Sequence, residues 1–487
     1  MRRLLALLLI PLATLGPAAC RPQPQGELKA VVIGPAPRLR DPALGPLSAS
    51  DAILLQNIAQ GLVRFDASGN IVAGLAERWN VSDDGLSYIF RIVSANWPNG
   101  KKITAQQVAR LLKRAIAARN RNPLRDSLGA IQDVVAMTDR VIEIQLVAPR
   151  PNLLSLLAQP ELAILNGPNG TGPFTASLTG GPGGELRLTR QVGGDEDEQP
   201  AQSEQVLLAG ATAEEAIRDF AAGKNDLVLG GTSGDLPLAQ QTKLPRGALR
   251  FDPASGLFGL VPMHTGGGID DPDVRHLLSQ ALDRDNYIAA LNVPGLAARA
   301  TLLEPGLDGM PAPVPPAWFA TPFGERLAAL RADSDRLFGS EKPTLRIALP
   351  DSPGGELLLR ELARDWGAIG LRVERAGPGA PADFALVDEV APSTSPAWFV
   401  RRFRCGTVAV CDGQADQLMD AARDTPIPAQ RYALLVQAAA RMEDAQLFIP
   451  IAAPVRWSLV SARVHGFAGN RYARHTLTDL QQQSSRN

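Results

Sequence analysis

Three cysteines in 487 residues rule out a disulfide-built scaffold. The four histidines (His264, His276, His465 and His475) never fall into an HExxH or HxH spacing, so no metal site is legible. Aromatic residues make up only 5% of the chain, which leaves little for an aromatic-lined pocket. Neither charge is in excess: 49 Lys and Arg stand against 50 Asp and Glu, for a formal net charge of -1. A nucleic-acid partner is therefore not expected. There is no GxxxxGK[ST] phosphate loop, and Gly231-Thr-Ser233-Gly lacks the last glycine of a GxSxG elbow. The Gly266-Gly-Gly268 run does not directly follow a clear strand-to-helix turn. The acidic pairs Asp83-Asp84 and Asp270-Asp271 fall in a turn and at a helix cap. No catalytic residue, metal ligand or cofactor is assigned, and the chain does not read as an enzyme.

What is present begins at the N-terminus. Met-Arg-Arg leads into an apolar run from Leu4 to Leu15, interrupted only by Pro11 and Thr14. Small residues follow (Gly16, Ala18, Ala19), and then Cys20. A positive start, a short apolar core and a small-residue cleavage site make a secretory signal over residues 1–19. The run is shorter than the roughly 20 residues that span a bilayer. Ala18-Ala19-Cys20 resembles a bacterial lipobox, with Pro17 where Leu is usual, and acylation of Cys20 would anchor the chain to a membrane. Plain cleavage near Ala19 is the other reading. Residues 20–27 are a polar tether. With Cys20 lipidated, Cys405 and Cys411 remain, paired in a disulfide or left as two buried thiols.

The rest is ordinary globular composition, 45% hydrophobic and 20% charged, enough for two or three domains. Leu28–Ile33, Leu62–Phe65, Tyr88–Ile92, Val141–Leu146 and Asp226–Leu229 read as strands. Ile53–Leu62 reads as a helix, and Thr104 with Gln107 and Thr212 with Glu215 are capping boxes opening two more. Asp271-Pro272 starts another. Gly193–Glu204 reads as a loop, and Pro294–Gly324 as a Pro/Gly-rich stretch without regular pattern. A β-α-β unit follows over Thr344–Leu349, Leu358–Trp366 and Leu371–Val373. Tyr432–Met442 reads as a helix and Phe448–Ile451 as a strand. The fold class is α/β.

One passage resembles a known family: Gly61-Leu-Val-Arg-Phe-Asp66, then Gly69 through Trp79 to Gly85 and Arg91, then Trp97-Pro-Asn-Gly100 and Ile103-Thr-Ala-Gln-Gln-Val108. Gly170-Thr-Gly-Pro-Phe174, Gly223-Lys-Asn-Asp226, Asp271-Pro-Asp-Val-Arg275, Ala281-Leu-Asp-Arg284, Phe448-Ile-Pro-Ile451 and Val464-His-Gly466 continue it in order. These runs resemble extracellular solute-binding protein family 5, the peptide/nickel-class binding proteins of ABC importers.

The resemblance implies a two-lobed periplasmic-binding-protein fold, type II-like with an extra N-terminal subdomain and a ligand cleft between lobes. Lobe I would take 28–49, 157–255 and 451–487, its subdomain 50–156, and lobe II 256–450. The lobes would be joined near Val261–His264 and near Pro450. Hinge closure would trap a small peptide or peptide-like ligand, to be read by an ABC permease and ATPase complex. The protein would be a monomeric periplasmic lipoprotein of a Gram-negative type envelope. Peptide binders of the family hold the ligand amine with an Asp. The corresponding stretch here, Asp383 to Trp398, lacks the Trp and the Asp of that pattern in register. That leaves Asp388, Glu389 and Trp398 as candidate ligand contacts, with Arg404 of the Arg401, Arg402, Arg404 cluster for a ligand carboxylate. A metal-chelate, haem or opine-like solute, or an exported relative acting as chaperone or sensor input, stay open as alternatives.

Overall fold

The computed structural model describes residues 27–117, 119–168, 170–179, 184–192, 202–478 and 480. The expected signal segment and Cys20 lie outside them. Three sheets organise the chain, with strands numbered in chain order. The seven-stranded sheet runs β12 (Leu249–Phe251), β18 (Arg456–Val460), β11 (Leu227–Thr232), β1 (Leu28–Ile33), β10 (Gln202–Ala211), β9 (Leu186–Val192), β8 (Thr175–Leu178). The five-stranded sheet runs β15 (Arg372–Arg375), β14 (Thr344–Ala348), β16 (Phe384–Val390), β13 (Gly256–Pro262), β17 (Ile449–Ala452). The four-stranded sheet is antiparallel: β4 (Ala76–Val81), β5 (Ser87–Ile92), β7 (Val141–Leu146), β6 (Ile131–Ala136). A hairpin of β2 (Val63–Phe65) and β3 (Ile71–Ala73) stands beside them.

Local chemistry explains the elements. β1 is almost wholly apolar because β10 and β11 pair with it in parallel on both sides, leaving it inside the sheet. Thr212 and Glu215 exchange both bonds of a capping box at the start of Ala213–Ala221. At Thr104 only half of the expected box forms. The hydroxyl accepts from Gln107 N, but Gln107 Oε1 accepts from Trp97 Nε1 at 3.1 Å, so the side chain serves a buried indole instead. The helix expected at Ile53–Leu62 runs over Ala49–Ile58, capped by Ser48. Its Ile53 and Leu54 are buried with Leu28, Val32 and Leu208, so the expected lobe boundary at residue 50 falls inside a helix of the first sheet's core. A helix at Phe323–Phe338 was not legible in the sequence, since only Leu330 and Ser334 on it are buried. β10 begins at Gln202, inside the segment read as a loop.

The chain passes from the seven- to the five-stranded sheet between Phe251 and Gly256, and returns between Ala452 and Arg456. The first crossing expected at Val261–His264 is corrected by this: Val261 lies within β13, fully inside the second sheet. Backbone bonds tie the crossings to the chain that follows the second one, Asp252 N to Arg456 O at 2.9 Å and Ser255 N to Arg471 O at 3.1 Å. Beside them His475 Nε2 meets Asp252 Oδ2 at 3.1 Å, with both side chains buried.

Each body has its own core. Phe90, Trp97, Val108 and Leu112 fill the four-stranded part, and Phe399, Phe403, Met419 and Leu435 the far side of the five-stranded one. A further cluster crosses between the sheets, joining Leu236 and Ala239 to Leu357, Leu358 and Trp366. Trp366 is fully buried and its Nε1 donates to Leu278 O at 3.0 Å.

Candidate ligand cleft

The two larger sheets face each other across a seam. At its centre, Asp388 on β16 accepts from Arg456 on β18: Nη1 to Oδ1 is 2.7 Å, and Arg456 Nη2 also reaches Asp388 O at 3.1 Å. Ser233 Oγ adds a bond to Oδ2 at 3.4 Å. Ser233 follows the end of β11 and Asp388 lies near the end of β16, so the pair sits at the carboxyl ends of strands, where open α/β sheets place their ligands. Tyr287 lies below, and its hydroxyl is pushed up by burial and then by the Asp388 charge. Burial likewise raises the Asp235 carboxyl, which Thr232 Oγ1 meets at 3.3 Å.

At one end of the seam, Gly354 N donates to Gly234 O at 2.8 Å. A Cβ on Gly354 would lie 2.0 Å from Ser233 O, so only glycine permits this approach. At the other end, Asn152 Nδ2 donates to Ser393 Oγ at 2.9 Å, and Gln159 Nε2 to Pro392 O at 2.8 Å. Arg474 in turn holds Gln159 Oε1 at 3.0 Å and Glu161 at 3.0 Å. These partners lie 233 and 241 residues apart in sequence, so local reading could not have paired them.

The residues singled out in the sequence do not converge. Asp388 is committed to Arg456. Glu389 is held by Arg402 through bonds of 2.7 to 3.1 Å. Arg404 is turned to Asp420 at 2.7 and 2.8 Å, within the second lobe's own helices. Cys405 and Cys411 are joined by a disulfide beside it, with Cα atoms 5.2 Å apart. Trp398 is the one that lines a cavity of the seam, together with Asn152, Ser393, Arg150 and Arg431. Among the described residues, no group of His, Cys, Asp and Glu is arranged to hold a metal ion.

That cavity measures about 40 Å³. A cavity needs about 10–15 Å³ to hold one water, and sites for whole ligands run from about 300 Å³ upward. This one takes a few waters or one small polar group, and a whole solute enters it only if the 50–156 part and the second lobe separate.

The sequence model of "Bacterial extracellular solute-binding proteins, family 5 Middle" matches residues 70–381. A "Probable di/tripeptide-binding protein 5" from Pseudomonas aeruginosa is 24% identical over 477 residues, covering 86% of this chain and 88% of that protein. Among solved structures, Haemophilus influenzae OppA in complex with the peptide RPPGFSPFR superposes with a TM-score of 0.77 at 16% identity, over 94% of this chain and 99% of the other. The Escherichia coli murein tripeptide binding protein MppA gives 0.76 at 16%, over 92% and 97%. These structural likenesses show a two-lobed α/β binding fold.

Proposed function

The chain belongs to the bacterial extracellular solute-binding proteins, family 5, and from that membership we propose that it captures a peptide or peptide-like solute by closure of its lobes and hands it to an ABC permease and ATPase. The observation that carries this reading is the narrow cavity between the 50–156 part and the second lobe, too small for a whole solute, in a chain whose two larger sheets are joined by only two short crossings. Such a joint opens by parting the Asp388–Arg456 clasp and the apolar cluster that joins Leu236 and Ala239 to Leu357 and Leu358. It closes when a solute touches both walls.

In this reading the expected boundaries at 50 and 450 move to keep the first helix and β17 whole: lobe I takes 28–58, 157–255 and 453–487, the subdomain 59–156, and lobe II 256–452. Asp388 and Trp398 face the solute. A solute amine reaching Asp388 must displace Arg456. Glu389 and Arg404 order the loop behind. Lipidation of Cys20 keeps the protein at the membrane as a periplasmic lipoprotein, acting as a monomer.

The test is a thermal-shift screen of the folded chain with di- and tripeptides, paired with small-angle scattering. A peptide present at a hundred times its dissociation constant adds about 2.7 kcal/mol of stability. A library that moves neither the melting temperature nor the radius of gyration would end the peptide reading.

A further inference from the structure

Four guanidinium groups line the seam cavity, those of Arg150, Arg401, Arg423 and Arg431, against a single lining carboxylate, Asp308. Arg423 has anionic partners of its own, Asp424 at 3.0 Å and Asp420 at 3.3 Å. The other three meet no carboxylate within ion-pair distance among the described residues. They donate to backbone carbonyls only. Arg150 reaches Pro149 O at 2.9 Å and Arg423 O at 3.3 Å. Arg401 reaches Asp126 O at 2.9 Å. Arg431 reaches Pro149 O at 2.7 Å and Thr425 O at 3.1 Å. Arg431 is 5% exposed, and its Nε is buried without any partner.

Proteins do not gather unpaired, desolvated like charges without compensation. The strain shows on Arg150, whose guanidinium is pushed down to about 10 by burial and then by Arg431 and Arg401. Arg401 is lowered too, by burial and then by Arg423 and Arg404. The placement also matters. Arg150 comes from the 50–156 part of the chain, and the other three come from the second lobe. Three of their carbonyl bonds cross the seam, at Arg423 O, Asp126 O and Pro149 O. Shutting the cleft therefore brings positive charge onto positive charge.

We propose that this cavity receives an oxyanion, a carboxylate or phosphate group of the transported solute, held by Arg150 from one wall and by Arg401 and Arg431 from the other. A planar guanidinium fork suits either group. The anion meets both walls only when the lobes are together, so it favours the closed form over the open one and drives closure. Ser393 and Asn152 offer neutral polar contacts beside it, and Trp398 an apolar wall. The inference rests on closure as the working motion and adds the charge of the solute.

The test uses the folded chain with citrate, inorganic phosphate, trialanine and trialanine amide, each at matched ionic strength in chloride. Binding is read by calorimetry and closure by the radius of gyration. Wild type is compared with Arg150→Gln and Arg401→Gln, both only partly buried, so that folding is retained. Citrate or phosphate should bind and contract wild type, and each substitution should weaken that binding about tenfold or more. Citrate against phosphate tells which oxyanion the site prefers. If both ions bind no better than chloride, or bind both variants as tightly as wild type, the anion site is wrong. If trialanine binds no better than trialanine amide, and binds the variants as tightly as wild type, solute capture stands and the anion site falls. If no peptide and no anion binds, both readings fall.

Discussion

Arg456 on one sheet and Asp388 on the other form a charge pair at 2.7 Å that bridges the cleft, with side chains only 16% and 19% exposed. Neither residue has another charged partner at ion-pair distance among the described residues. The pair is thus both a clasp between the lobes and the position where a peptide amine would have to compete.

Removing one partner strands the other in a nearly dry seam. Arg456→Gln and Asp388→Asn should each lower unfolding stability by about 1–3 kcal/mol, and the double variant should lose less than the sum. Urea unfolding of the four proteins measures the coupling. Additive losses would mean that the pair contributes nothing.

Gly354 offers a steric test of closure. Its φ is not positive, so a side chain there strains nothing locally, but it meets Ser233 O from the opposite lobe. Gly354→Val should therefore enlarge the radius of gyration in solution while leaving the near-ultraviolet dichroism of each core intact. An unchanged radius with normal dichroism would show that the contact is not made in solution.

The disulfide closes a loop with a sequence separation of only 6. A loop this short constrains the unfolded chain weakly, so reducing it, or making Cys405→Ser with Cys411→Ser, should cost about 2 kcal/mol. Comparing urea midpoints with and without reductant measures it. The loss should not change solute affinity, because neither Arg404 nor the disulfide lines the seam cavity.

Trp366 anchors the second lobe. Trp366→Ala removes a fully buried indole and its bond to Leu278 O, and should cost about 3–5 kcal/mol. Chemical unfolding measures this, and a loss under 1 kcal/mol would contradict the packing described.

Cys20→Ser should move the protein from the membrane fraction to the soluble periplasmic fraction when the host is fractionated. A variant that stays with the membrane as wild type does would rule out a lipid on Cys20.

Much of the fold was legible because its signals are local. β1 and β7 declare themselves by β-branched runs, and Thr212 with Glu215 by a three-residue spacing. The chain of family motifs from Gly61 to Gly466 supplied the architecture. The site was less legible, because its residues find their partners far away in sequence. Asp388 reads as a free acid until Arg456, 68 residues on, folds against it. Arg150 and Arg431 are unremarkable in their own helices and turns, and only the closing of the seam places them around one cavity. Thr104 shows the converse failure: the motif was present, but a buried Trp97 claimed the glutamine.

The last feature is the place of β18. It is late in sequence, yet it lies between β12 and β11 in the interior of the seven-stranded sheet. A chain synthesised amino end first therefore cannot assemble that sheet until residue 460 is made, whereas the inserted five-stranded lobe has all its strands by residue 452. The lobe encoded in the middle is free to mature first. The lobe that holds the N-terminal strand waits, with β1, β10 and β11 in hand and one slot empty, for the final stretch of the polypeptide to arrive.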